Sequence, residues 1–352
     1  MSRPRAPKNL PARPALAALA ALVLGLLVAA CGGASDEPEA HPIQTIGARP
    51  DIRVHTVAGG NRSVQQEAAV AMERTRNPGP ASDLQPLHAE NFVRPVGAYR
   101  AYSEHEAKAV QREVTRLQGA LAADDVGAAK ADWLDAYDHY LRLGAAYGAL
   151  GTLDEEIDGN PGRLPGGDHS PRFTGLHRIE MGLWDGEAPA RLVAPAAYLA
   201  QRVKHLQVAV RRIAIPPLVY ATRAHEILED AQRDMLSGVD APWSGAGLRA
   251  TADSLAATEF VVDTLKPLLD GRGSTIEPVE VELARFHSTL ERVRREGGGE
   301  WPRLEAMTQR QHERVDGALG SLLERLDTIP GALEVKRTKP LPTIAEQQEE
   351  RQ

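Results

Sequence analysis

The chain has 352 residues with 41 basic and 48 acidic side chains, a net charge of −7, and only 4% aromatic residues. That balance disfavours nucleic acid or an anionic membrane surface as partner and suits cations. Cys31 is the single cysteine, so an internal disulfide is excluded and packing must hold the fold together.

Residues 1–30 carry Arg3, Arg5, Lys8 and Arg13 and no acidic residue, and positions 15–30 are apolar throughout. A charged stretch feeding an apolar one reads as a signal peptide, and the run falls short of the roughly 20 residues that cross a bilayer. Val28-Ala29-Ala30-Cys31-Gly32 resembles a bacterial lipoprotein cleavage site. Cleavage before Cys31 and acylation of its thiol are expected, with a lipid anchor to the membrane facing the periplasm or the extracellular side. Without the four positive charges of the leader the balance falls from −7 to −11. Residues 31–95 are rich in Pro, Gly, Asp, Glu and His, with little apolar periodicity outside 64–72, and are read as a flexible tether. His41, His55 and His88 belong to that stretch and are read as solvated linker histidines.

From residue 96 the composition shifts to Ala, Leu, Arg and Glu in long stretches with few breakers, and β-branched alternation is absent. The fold class is all-α. A first helical bundle is expected over 96–215, with helices at 98–122, 125–150, a short one around His177, and 190–214. A second is expected over 216–335, with helices at 218–236, 248–269, 279–295 and 303–326, followed by a polar tail at 336–352. Two tandem four-helix bundles suit the 321 residues beyond Cys31, which exceed what one core usually serves.

The segment Phe173-Thr174-Gly175-Leu176-His177-Arg178-Ile179-Glu180 sets an imidazole and a carboxylate three positions apart. On a helix they share a face, close enough to reach one ion, and imidazole plus carboxylate is an ordinary ligand set for divalent transition metals. With the lipoprotein-like leader and the helical pattern, this segment, continued by Leu183-Trp184, resembles the Gly-x-His-x-x-Glu hallmark of the imelysin-like EfeO/EfeM family of bacterial iron-uptake proteins. Leu153-Asp154-Glu155-Glu156-Ile157-Asp158 is similar to that family's Leu-Asp-x-x-Ile-Asp element.

The resemblance implies an envelope lipoprotein that captures a metal ion, iron with copper or zinc as alternatives, and hands it to a membrane permease, with a haem peroxidase as a further partner. It implies His177, Glu180 and Asp158 as metal-binding residues. His225-Glu226-Ile227-Leu228-Glu229-Asp230 resembles a Glu-rich family helix, which adds Glu226 or Asp230, and Asp240 in the following turn, as contributors. Two family glutamates are missing, because Leu141 and Gly144 stand at their positions. A second metal site built on them is not expected; Asp135, Asp138 and His139, about one turn earlier, are the nearest replacements but are read as a solvated helix face.

Three other functions compete. A metallopeptidase needs a water-activating base beside an open metal position, and no His-Glu-x-x-His is present, since Glu229 stands at the second histidine's place. Binding of an acidic polysaccharide requires a basic, aromatic-lined groove, for which Arg202, Lys204, Arg211 and Arg212 are candidates. A docking protein that has lost tight metal binding is the third. Trp184, one turn beyond Glu180, is expected to wall the site and report on it.

Overall fold

The computed structural model describes residues 87–333 apart from Tyr147 and 273–275. The leader, Cys31, most of the tether and the polar tail therefore lie outside the described residues. Among those described, no helix is long and apolar enough to cross a membrane.

The helices run α1 (Val93–Ala122), α2 (Val126–Leu141), α3 (Thr152–Asp158), α4 (Gly175–Trp184), α5 (Pro189–Val210), α6 (Pro217–Asp230), α7 (Gly247–Leu269), α8 (Ile276–Glu296), α9 (Gln309–Leu326) and α10 (Thr328–Ala332). Their boundaries follow local chemistry. Asp125 caps α2 by accepting from the Ala128 amide at 2.9 Å. Pro189 and Pro217 occupy first turns, where a missing N–H costs nothing. Thr308 and Gln311 form a reciprocal capping box at α9. That box starts α9 six residues later than the expected 303, and 304–306 form a separate 3-10 turn. The helix expected over 125–150 stops at Leu141, with only a 3-10 turn at Gly144–Ala146 beyond it.

α1 packs along α2 and α5, and the short α3 and α4 sit on α5. In the later part of the chain α6 packs on α7, α8 on α9, and α7 on α8. α7 also lies against α1 and α2, so the buried side chains form one continuous apolar core. Trp133, Tyr137 and Tyr140 of α2 are buried within it. Their aromatic faces pack there while each polar tip finds a partner, as buried Tyr and Trp require.

Candidate metal centre

The site is assembled at the joint between α3 and α4. Gly175 begins α4 at φ +81°, in the left-handed region, and a Cβ there would lie 2.2 Å from the Ile157 carbonyl oxygen. Only glycine lets the two backbones meet this closely. The contact brings Asp158, the last residue of α3, beside His177 in the first turn of α4. α4 buries Leu176, Ile179 and Leu183 together with His177 and Glu180, and the Trp133 indole N–H donates to the Leu176 carbonyl at 2.8 Å. The polar pair is thus carried inward with the apolar face.

His177 is 1% exposed and Glu180 fully buried. The ring nitrogen Nδ1 donates to Glu180 Oε2 at 2.8 Å. Glu180 Oε1 accepts from both the amide and the hydroxyl of Ser244, each at 2.7 Å. On the other side of the ring, Nε2 faces Asp240 Oδ1 at 2.9 Å and Asp158 Oδ1 at 3.3 Å. Neither contact is aligned as a hydrogen bond. Asp240 is held by the Tyr137 hydroxyl at 2.5 Å and by the Ala241 amide at 3.1 Å. The Tyr137 ring stands edge-on to the imidazole, with centroids 5.5 Å apart.

Burial alone disfavours charge on His177, but Asp240 and Asp158 outweigh it and hold the imidazole pKa well above its ordinary value. Burial raises the Asp158 carboxyl to about 7 against the pull of His177. Asp240 moves the other way: burial opposes its charge, yet His177 and the Tyr137 hydroxyl bring it below the usual carboxylate range. The carboxylates that favour positive charge on the ring are the ones that face Nε2, where a cation would be favoured in the same way.

As they stand, these groups bond to one another, and among the described residues no three His, Cys, Asp or Glu side chains frame a ready metal position. The donor spacing nevertheless fits one. Octahedral ligands about 2.1 Å from an ion sit about 3.0 Å from each other, close to the 2.9 and 3.3 Å between Nε2 and the two carboxylate oxygens. Loss of the Nε2 proton and a small outward shift would present one imidazole nitrogen and two hard oxygens to a cation.

Asp158 and Asp240 open onto a cleft of about 1160 Å³ in which acidic side chains outnumber arginines seven to three. That excess favours a cation over a polyanion. Of the arginines considered for a basic groove, Arg202 is paired with Glu156 at 3.1 Å and lies over Tyr198, and Arg211 is paired with Glu104 at 3.8 Å.

Asp230 also lines the cleft, but Arg233 neutralises it at 2.8 Å. Glu226 is not brought to the site: it does not line the cleft, and its carboxylate is bound by Arg223 at 2.5 Å on the α6 surface. The expected wall residue is also displaced. Trp133 is nearer the imidazole, at 6.5 Å, and Trp184 packs against Trp133.

Leu141 is buried at the cleft's inner edge, and a Cβ on Gly144 would meet Ile227 at 3.1 Å, so apolar packing fills the places of the missing glutamates. Asp135 and Asp138 do not replace them. Arg249 of α7 clamps both, with Nη2 at 2.8 Å and 2.5 Å, while His139 donates to Glu106 at 2.7 Å. Sequence reasoning missed Ser244 and Tyr137, neither of which stands near His177 in the chain.

The imelysin family model, also designated peptidase family M75, matches residues 95–334. Similar curated proteins include the "Iron uptake system component EfeO" of Escherichia coli (strain K12), of Shigella flexneri and of Shigella sonnei (strain Ss046). Each is 24% identical over 239 residues, which is 68% of this chain and 63% of the relative's own length. The chain belongs to the imelysin family.

Proposed function

We propose that this imelysin-family chain is a metal-binding component of an iron-uptake system of the cell envelope, taking up an ion and passing it to a membrane permease. The observation that carries the reading is the buried His177 Nε2, which faces two carboxylates at the wall of an acidic cleft without a hydrogen bond to either. The names of the EfeO relatives support iron as cargo; copper and zinc fit the same donors. His177 supplies a neutral nitrogen, and Asp158 and Asp240 supply anionic oxygen. The cleft side stays open, so water or a receiving protein completes the coordination and takes the ion away. A lipid anchor at Cys31 and a haem peroxidase partner rest on the sequence resemblance alone.

The chain acts here as a transport component and not as an enzyme. Hydrolysis would need a carboxylate free to take a proton from a metal-bound water. Glu180 already accepts from His177 and Ser244 through both oxygens, and Asp158 and Asp240 are assigned to the ion itself.

Calorimetric titration with ferrous, ferric, cupric and zinc ions tests the reading. One ion per chain is expected, with affinity falling at least about 100-fold in a His177→Ala, Asp240→Asn double variant. Equal affinity in parent and variant would place the ion elsewhere and refute it.

A further inference from the structure

The Gly-x-His-x-x-Glu pattern invites the view that its histidine and glutamate grip one ion together. The geometry points elsewhere. We propose that Glu180 is a positioning residue and not a ligand, and that with Ser244 it latches the His177 ring to the turn carrying Asp240. This deepens the metal reading of the site, and only its final step depends on that reading.

Each oxygen of Glu180 has a fixed duty. Oε2 accepts a hydrogen bond from Nδ1 of His177, which leaves Nε2 as the ring nitrogen that faces Asp240 and Asp158 at the cleft wall. Oε1 accepts hydrogen bonds from the amide and the hydroxyl of Ser244, on a turn 64 positions away in the chain. A fully buried carboxylate with three donors and no exposed edge has no oxygen facing the cleft to offer an ion.

The turn needs such a hold. Ala241, directly after Asp240, sits at φ +48°, a left-handed conformation that side-chain-bearing residues rarely keep unless their surroundings impose it. Arg303 also donates to the carbonyls of Ser244 and Trp243, at 2.6 and 3.1 Å. The turn is therefore held both by a carboxylate and by a guanidinium. Asp240 stays 2.9 Å from Nε2 because both grips hold. Ser244 is the residue that couples ring and turn.

Amide hydrogen exchange on the metal-free full-length chain tests the latch without any metal. In Glu180→Gln, the amides of 241–246 should exchange at least about tenfold faster, because hydrogen bonds to a charged acceptor are lost, while those of α8 and α9 keep their parent rates. Ser244→Ala retains the backbone bond to Glu180 and should give a smaller acceleration confined to the same turn. It also serves if Glu180→Gln fails to fold. Unchanged exchange at 241–246 in both variants overturns the latch.

Cobalt(II) absorption tests the ligand assignment. At saturation, Glu180→Gln should show the parent's visible spectrum with affinity reduced about 10- to 100-fold, the usual consequence of disturbing a ligand's own support. An altered spectrum would put Glu180 in the coordination sphere and overturn the assignment. If the parent takes up no cobalt, zinc or iron, the metal reading fails separately, and the exchange result alone decides the latch.

Discussion

Gly175→Ala probes the joint that makes the centre. The added Cβ would stand 2.2 Å from the Ile157 oxygen, 2.6 Å from its carbon and 2.8 Å from the Glu156 oxygen, whereas real contacts stay beyond 3.0 Å. Relief therefore demands a displacement of about 0.8 Å between the end of α3 and the start of α4. The left-handed backbone adds about 1–2 kcal/mol for any residue with a Cβ. Clash and conformation together should cost about 2–4 kcal/mol, which for a helical domain of this size lowers Tm by roughly 5–15 °C. The displacement also moves Asp158 relative to His177 by several times the roughly 0.2 Å that metal–ligand distances tolerate. Metal affinity should fall about 10- to 100-fold even at temperatures where the variant is fully folded. Thermal denaturation followed by zinc titration at 20–25 °C separates the two effects. Parent-like Tm and affinity would show that the close approach of α3 and α4 does not set the site.

Because the facing carboxylates hold the His177 pKa well above its ordinary value and burial pushes Asp158 up to about 7, metal binding is expected to displace protons. Calorimetry at pH 6.5 in buffers of different ionisation enthalpy should count between one and two protons released per ion, with affinity weakening as pH falls; zero release contradicts the assignment of Nε2. Metal addition should alter tryptophan emission chiefly through Trp133, so Trp184→Phe keeps most of the change, and its complete loss in that variant would contradict the ring packing seen here. Restoring the family glutamate with Gly144→Glu should not create a second site, because Ile227 occupies the space. Stability should drop by about 1–3 kcal/mol from overpacking, and a titration reaching two ions per chain would count against this account. Arg249→Ala leaves Asp138 without its bidentate partner, and an urea midpoint lowered by about 1–2 kcal/mol of stability is expected; an unchanged midpoint would mean the clamp is inert.

The helical architecture was legible because long Ala- and Leu-rich stretches carry their period openly, and caps such as Asp125 mark where a helix begins. The segment after Leu141 was harder. Leu143, Ala145 and Ala146 look like continuing helix, yet their burial is set by tertiary contact, with Gly144 closed against Ile227. His177 and Glu180 were legible as a pair because they are three residues apart. Their unequal duties were not, since what distinguishes them is Ser244, 64 positions further along. Asp240 was named only through resemblance, and nothing local in its turn announces that it meets the imidazole. Glu226 shows the converse: it sits in a pattern that looked metal-like, and a neighbouring arginine one helical turn away has claimed it.

The bond between Tyr137 and Asp240 spans 103 positions of chain, and the ion-facing groups come from three separate stretches of it. A captured ion would therefore act as a staple, binding only the assembled form. At a free concentration 100 times Kd it would add about 2.7 kcal/mol against unfolding. Loaded and empty molecules would then differ in how long they survive proteolysis, so depletion of the ion would shorten the protein's own lifetime.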